Sequence, residues 1–238
     1  MLQWVLESMP RERADWKYQV VLKMTSLSFA SLHTTTMMFH NLLARLASRP
    51  DLRARLRAEQ ARVLAEFGTT ATPTAVLDAM DLLDACIQEC ARLHFGVSTF
   101  QRVVATTDDE ITLNHGRTTI PAGATVLLSP VSINMDPLVY GPDVDQFRPD
   151  RFLELTQAHL KKSTTVRSDF LMWGSGRHAC PGRFLAISEI KRMACILLRS
   201  YDFETVSGKP FEFSSLFLGN IVRDQPVRFT RIVDLAVA

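Results

Sequence analysis

One cysteine, Cys180, lies where its sulfur could act chemically. The surrounding segment, residues 173–182, reads WGSGRHACPG, and an apolar helical pattern follows over residues 183–198. Backbone N–H groups of a tight glycine turn and the positive end of a helix both favour the thiolate form of a cysteine. The spacing therefore predicts a thiolate that can bind a metal. A buried structural cysteine on a glycine turn is the alternative.

A metal bound by this thiolate needs further ligands. Structural zinc takes four protein ligands, and the residues near Cys180 do not supply three more. Haem brings four nitrogens of its own, so one cysteine completes its proximal side and leaves the other face for dioxygen. The sequence favours haem. A zinc module of Cys86, Cys90 and His94, four residues apart, is a weaker alternative because no fourth ligand is nearby.

A long helix is predicted over residues 19–47, because apolar residues recur there at three- and four-residue spacing and Arg49-Pro50 follows. So long a helix must cross the middle of a globular protein. Its interior contains ASLHTTT, residues 30–36. Threonine hydroxyls in a helix can bond back to the preceding turn, which weakens the helical hydrogen bonds locally. A groove with a free hydroxyl is one reading of this cluster, and ordinary helix packing is the other.

The rest of the chain alternates helical and strand patterns. A second helix is predicted over residues 75–94, with Glu89 and Arg92 three residues apart on one face. Strands are predicted over 98–106, 110–113 and 125–130, followed by an irregular stretch with a mobile surface insert over 156–168. Further strands are predicted over 201–238. This pattern predicts a mainly α fold with small β-sheets.

Composition excludes several classes of protein. The net charge of +2 and the absence of basic runs with aromatics give no reason to expect a nucleic-acid partner. Four scattered cysteines do not form a disulfide framework. The uncharged window over residues 24–44 is about half Ser, Thr, His or Asn, so we expect no membrane segment and, from the mixed charges of residues 1–13, no signal peptide.

The cysteine segment resembles the haem-ligand loop of the cytochrome P-450 superfamily, whose pattern is F-x-x-G-x-R-x-C-x-G. Trp173, Gly176, Cys180 and Gly182 occupy the Phe, Gly, Cys and Gly places, and His178 stands where the family has Arg. The resemblance implies that Cys180 binds the iron of haem b (iron protoporphyrin IX). The family arginine pairs with a haem propionate, whereas a histidine is only fractionally charged near neutral pH.

Two other arginines could supply the missing charge. Arg177 directly precedes His178, although adjacent side chains need not point the same way. Arg102 resembles the arginine that many family members direct from a strand to a haem propionate. Both assignments follow from the resemblance alone.

The helix segment at residues 30–36 resembles the distal oxygen-activation segment of the same family, A/G-G-x-D/E-T-T/S. In this register Thr34 is the proton-delivering threonine and His33 replaces the acid. A histidine can itself pass protons near neutral pH. A shift of one residue would make Thr35 the key hydroxyl instead.

The pair Glu89 and Arg92 resembles the Glu-x-x-Arg motif of the family, in which a later arginine joins the pair. The segment FRPDRF, residues 147–152, offers Arg151 as that partner. The resemblance implies a buried Glu89–Arg92–Arg151 network that holds the cysteine loop in place.

The motifs follow the family's order from about residue 10 to near the end, so residues 1–238 resemble the C-terminal part of one cytochrome P-450 domain without the N-terminal half. The resemblance implies a haem-thiolate monooxygenase that inserts one oxygen atom from O2 into a hydrophobic small molecule. It also implies an NADPH-dependent reductase as electron donor. A full-length relative is expected at the cytosolic face of the endoplasmic reticulum membrane.

The style of the two main motifs is most similar to fungal members that oxidise terpenoid-type metabolites. Residues 96–100 and a C-terminal hairpin near residues 211–218 would line the substrate cavity, with core packing as the alternative. A truncated, inactive fragment that retains only the motifs is the second functional hypothesis. Without the N-terminal half, the helices are expected to expose apolar faces.

Overall fold

The structure is a computed structural model that describes residues 2–10, 12, 14–68, 73–94, 100–104, 110–113, 116–216, 219–222 and 225–232. The predicted fold class, mainly α with small β-sheets, is confirmed. The helices are α1 (Leu2–Glu7), α2 (Trp16–Ala47), α3 (Pro50–Phe67), α4 (Pro73–Asp78), α5 (Asp81–Leu93), α6 (Pro130–Asn134), α7 (Pro137–Tyr140), α8 (Asp150–Leu153) and α9 (Arg183–Ser200), with short 3-10 turns at Ala158–Lys161 and Gly176–His178.

The described strands form four antiparallel pairs. They are β1 (Phe100–Val103) with β4 (Thr125–Leu128), β2 (Glu110–Leu113) with β3 (Thr118–Pro121), β5 (Tyr201–Thr205) with β8 (Val227–Arg231), and β6 (Phe213–Leu216) with β7 (Gly219–Val222). Strand β3 was not predicted. Residues 98–99, 105–106 and 217–218, which also belong to predicted strands or to the hairpin, lie outside the described residues.

Helix α2 crosses the molecule as predicted and begins one turn earlier, at Trp16. Its C-terminal half is buried in the core, where Leu42 is fully buried and packs in one apolar cluster with residues of α5 and α9. Its N-terminal half is different, since Phe29 and Leu32 are 67% and 68% exposed. The expectation that a helix exposes an apolar face is met on this half of α2.

The helix predicted over residues 75–94 is wrong as a single element. The structure divides it into α4 and α5, with a break at Ala79 and Met80. The cause is a contact from another helix: the Glu59 carboxylate of α3 accepts hydrogen bonds from the backbone N–H groups of Leu82 (2.6 Å) and Leu83 (3.1 Å). These N–H groups have no partner within a helix that begins at Asp81, so Glu59 acts as its cap.

The predicted mobile surface insert over residues 156–168 is also wrong in part. Ser163 is fully buried, and its backbone carbonyl accepts a hydrogen bond from the Trp173 indole N–H at 2.6 Å. Arg167 is buried too and forms a two-point ion pair with Asp169. Ser163 and Arg167 therefore belong to the packed interior next to the cysteine loop, whereas Thr156, Gln157 and His159 are exposed.

Helix α2 contacts the end of α5 through the guanidinium group of Arg45 and the ring of His94. The Arg45 Nε donates to the Nε2 atom of His94 at 3.0 Å, and the guanidinium lies 4.2 Å from the centre of the Phe213 ring. The His94 ring stacks on Phe213 with ring centres 3.6 Å apart. Burial, followed by the nearby charges of Arg45 and Arg92, lowers the pKa of His94 to about 3. The neutral ring is the form that can accept from Arg45.

This arrangement predicts a pH-dependent contribution to stability. The pKa of His94 is about 3 in the folded protein, against an ordinary value of 6.5, so between these values the unfolded chain binds more protons. The free energy of unfolding should therefore rise with pH through this window, by at most about 1.4 kcal/mol per pH unit from this group. The contribution is fully present above pH 6.5 and is lost as the pH falls towards 3.

Urea unfolding at a series of pH values checks this contribution. His94→Gln keeps an acceptor for Arg45 but removes the titrating ring, so the slope should become smaller. His40→Gln, at an exposed position of α2, is the matched control and should leave the slope as it is. Equal slopes in the parent and the His94→Gln protein would contradict the assignment.

Candidate functional site

A cavity of about 260 Å³ lies between α2 and the cysteine loop. Helix α2 contributes part of the lining, and the loop together with α9 contributes another part. Cys180 and Thr34, which are 146 positions apart by their numbers, therefore line the same space. The described lining residues are Thr34, Thr35, Met37, Met38, Phe100, Met172, Trp173, His178, Cys180, Ala186 and Ile190.

The cysteine loop is shaped by glycines and backbone hydrogen bonds. Gly174 and Gly176 have φ angles of +72° and +63°, in the left-handed region that glycine adopts without strain. The Cys180 N–H donates to the Trp173 carbonyl at 2.8 Å, which closes the loop. Arg183, at the start of α9, donates from Nη1 to the Cys180 carbonyl at 2.9 Å. The position of Cys180 is thus fixed from both sides.

The α2 wall presents hydroxyl groups to the cavity. Thr34 donates from Oγ1 to the Ala30 carbonyl at 2.6 Å, the bond back to the preceding turn that the sequence suggested. The helix continues through this point. Thr35, the alternative from a one-residue shift, is buried and lines the same cavity. His33 is exposed, stacks on Phe29 with ring centres 5.6 Å apart, and is not among the described lining residues.

The basic residues predicted near the cofactor are placed differently from one another. His178 lines the cavity, and its Nε2 accepts a hydrogen bond from Arg177 Nε at 3.1 Å. The structure therefore brings the guanidinium next to the histidine ring. Arg102 is exposed, donates to the carbonyl of its neighbour Gln101 at 2.8 Å, and is not among the described lining residues.

The Glu89 carboxylate is the centre of a buried ion network. It accepts from Arg92 Nε and Nη2, both at 2.8 Å, from Arg151 Nε at 3.0 Å, and from the backbone N–H of Arg148 at 2.8 Å. Glu89 is fully buried, and Arg92 and Arg151 are 1% and 7% exposed.

The remaining donors of the two arginines bind backbone carbonyls of the irregular stretch. Arg92 Nη1 reaches the Val144 carbonyl at 2.6 Å, and Arg151 Nη1 reaches that of Tyr140 at 2.6 Å. Because these carbonyls precede the cysteine loop in the chain, the network fixes the path by which the chain reaches it.

Sequence reasoning missed the apolar lining of the cavity. Met37, Met38 and Met172 form much of it, yet methionines on a helix or before a loop carry no signal of their own. Ala186 and Ile190 could have been found, because they are four residues apart on the helix that follows Cys180. Of the predicted segment 96–100, only Phe100 lies within the described residues, and it lines the cavity.

The donor set suits a group that brings its own ligands. Cys180 offers a single sulfur to a cavity whose walls are mainly apolar. Across the described ranges, no three or more His, Cys, Asp or Glu side chains are grouped so that they could hold a metal ion. A cofactor such as haem, which needs one protein sulfur and an apolar slot, fits these residues.

The zinc alternative does not fit the structure. Cys86 and Cys90 are fully buried. Burial raises the pKa of the Cys90 thiol to about 12 and raises that of Cys86 well above its usual range. Zinc is bound by thiolates, whereas these environments favour the neutral thiols.

In the part of the chain that the structure describes, no helix is both long enough and apolar enough for a membrane span.

Comparisons with known proteins agree with the geometry. The family model "Cytochrome P450" matches residues 16–228. The cytochrome P450 monooxygenase phqO of Penicillium fellutanum is 37% identical over 192 residues, which are 79% of this chain and 42% of that protein. The fusicoccin H C-9 hydroxylase of Phomopsis amygdali is 33% identical over 209 residues, 84% of this chain and 39% of that protein.

A solved structure shares the fold. The crystal structure of a cytochrome P450 (CYP102L1) superposes with a TM-score of 0.73 at 21% identity, covering 90% of this chain and 45% of that one. The chain thus spans less than half the length of the proteins that it matches here.

The Glu89 network predicts a large loss of stability when one partner is removed. Arg151→Met leaves part of the Glu89 carboxylate buried without its cation, which should lower the free energy of unfolding by about 3–5 kcal/mol. Arg228→Met is the matched control, because its ion pair with Glu204 is 60% and 59% exposed and should contribute less than about 1 kcal/mol. Urea unfolding of the three proteins measures both changes, and losses of equal size would argue against a buried network.

Proposed function

Because the chain belongs to the cytochrome P450 family, we propose that it is the C-terminal catalytic portion of a haem-thiolate monooxygenase that oxidises a hydrophobic small molecule. The observation that carries the proposal is that Cys180 and Thr34 line one cavity. The Cys180 sulfur would hold the iron, and the Thr34 hydroxyl would be available within the same cavity.

The residues present would hold haem b through the Cys180 sulfur. When bound, haem supplies dioxygen binding and, with a thiolate ligand, electron density that favours cleavage of the O–O bond. His178 lines the cavity and accepts a hydrogen bond from Arg177, so these two side chains would together meet a propionate. Arg102 would have to leave the Gln101 carbonyl to take the same role.

Proton delivery is proposed for Thr34. Its hydroxyl proton is directed to the Ala30 carbonyl, so both lone pairs of Oγ1 remain able to accept a proton or a hydrogen bond. Rotation of the side chain about χ1 would release the hydroxyl proton towards the cavity. His33 replaces the family acid, and it would take part only after its ring leaves Phe29.

A hydrophobic substrate is proposed because the cavity wall is mainly apolar, with methionine, aromatic, alanine and isoleucine side chains. The terpenoid-type class is proposed from the style of the ASLHTTT and WGSGRHACPG segments. The fungal origin of the two relatives above supports a role in fungal secondary metabolism.

Electrons would come from an NADPH-dependent reductase. A full-length relative would act at the cytosolic face of the endoplasmic reticulum. Both points rest on the family.

A second candidate function is that of an inactive fragment. The exposed apolar face on the N-terminal half of α2 favours it, because Tyr18, Phe29 and Leu32 are each more than 60% exposed. In this case the motifs would be present without a complete cofactor pocket. Binding of haem distinguishes the two candidates.

A carbon monoxide difference spectrum of the reduced, haem-reconstituted chain tests the proposal. The red-shifted band of a thiolate-bound haem is expected, and Cys180→Ser should abolish it. Cys195→Ser is the control, because Cys195 is buried against Met80 Sδ at 3.3 Å and should not bind the iron. No bound haem in the parent protein would favour the inactive fragment, and a band that survives in Cys180→Ser would exclude Cys180 as the ligand.

A further inference from the structure

A continuous chain of buried hydrogen bonds leads from α9 to the cysteine loop. Lys191 Nζ of α9 donates to Asp84 Oδ2 of α5 at 2.7 Å. Asp84 Oδ1 accepts from the Ser163 backbone N–H at 3.2 Å and also from the Ser163 hydroxyl. The Ser163 carbonyl accepts from the Trp173 indole N–H at 2.6 Å. Trp173 is the first residue of the loop that carries Cys180.

The two charged side chains in this series of hydrogen bonds are buried and paired with one another. Asp84 and Lys191 are each 2% exposed, Ser163 is fully buried, and Lys191 also donates to the Leu77 carbonyl at 2.8 Å. A buried ion pair contributes little net stability compared with apolar residues of the same size, so its value lies in fixing one arrangement. The arrangement fixed here is the position of Ser163, next to Trp173.

The two ends of the cysteine loop are thereby tied to one another. Trp173 opens the loop and is held by Ser163, whereas Lys191 lies on the helix that leaves the loop and holds Ser163 through Asp84. A second hydrogen bond links the same two regions. Arg183 Nε, at the start of α9, donates to the carbonyl of Thr164, the residue after Ser163, at 3.1 Å. Movement of either end would break a buried bond.

We propose that Lys191, Asp84 and Ser163 are positioning residues that act through Trp173 to fix the Cys180 loop. The indole N–H is what makes this possible, because a phenylalanine, which the family pattern has here, keeps the ring but offers no donor to Ser163. The importance of this positioning for haem rests on the proposed function, whereas the positioning of the loop does not depend on haem.

Hydrogen exchange of the Cys180 amide in the haem-free chain tests the positioning directly. This N–H donates to the Trp173 carbonyl, so its exchange reports how often the loop opens. Trp173→Phe removes one buried hydrogen bond and should raise the exchange rate about 3- to 10-fold. Trp16→Phe, on α2, is the matched control and should leave it unchanged.

A double replacement separates positioning from general stability. Asp84→Val with Lys191→Met removes both charges together, so neither charge stays buried without its partner, and the Ser163 N–H and hydroxyl lose their acceptor. Urea unfolding measures the effect of this change on global stability. The Cys180 amide should exchange about 3- to 10-fold faster. In the Trp173→Phe background the same replacement should add little to the exchange rate, because the link is already cut. Lys191→Arg, which keeps the cation, should preserve slow exchange.

The exchange rates test the positioning of the loop, and the thiolate band tests the binding of haem. The proposed positioning is overturned if the Cys180 amide of the Trp173→Phe protein exchanges at the parent rate. It is also overturned if Trp173→Phe and the double replacement multiply the exchange rate independently of one another. Where the double replacement unfolds the chain, Trp173→Phe alone decides. With haem, Trp173→Phe should shorten the lifetime of the thiolate band by a similar factor. Coupled exchange effects in a chain that gives no such band would leave the positioning standing and refute the proposed function.

Discussion

The structure depends on one carboxylate that is entirely removed from water. Glu89 is held there by the guanidinium groups of Arg92 and Arg151 and by the backbone N–H of Arg148, and removal of any of these partners would leave part of a buried carboxylate unpaired. Arg92 belongs to α5 itself, whereas Arg148 and Arg151 belong to a segment that is therefore held at a fixed distance from α5. The irregular stretch between the sheets and the cysteine loop has little regular structure, and this network replaces the hydrogen bonds that a helix or sheet would provide.

The two ion networks of α5 divide the task of placing the cysteine loop. Glu89 fixes the stretch that approaches the loop through Tyr140, Val144 and Arg148, whereas Asp84 fixes Ser163 and, through it, Trp173. The two carboxylates are five residues apart on one helix. Helix α5 thus fixes the part of the cavity that is formed by the cysteine loop, and α2 forms the part that contains Thr34.

The residues proposed for chemical roles were accessible from the sequence because their spacing reflects local geometry. The signals were short-range patterns: the glycines around Cys180 and the helix after it, the three-residue spacing of Glu89 and Arg92, and the adjacent threonines at 34 and 35. Contacts between distant segments were not accessible. The break between α4 and α5 depends on Glu59 of another helix, and the buried position of Ser163 depends on Asp84. The exposed positions of His33 and Arg102 are likewise decided by which neighbours they meet.

The cap that Glu59 places on α5 has a consequence for the order of folding. Residues 75–94 are locally compatible with one uninterrupted helix, so the start at Asp81 is selected only when α3 has docked alongside. Early in folding the segment would sample a longer helix, and the correct boundary would appear together with the α3–α5 contact. Since α5 carries both carboxylates that fix the cysteine loop, we expect that side of the cavity to assemble after this docking step.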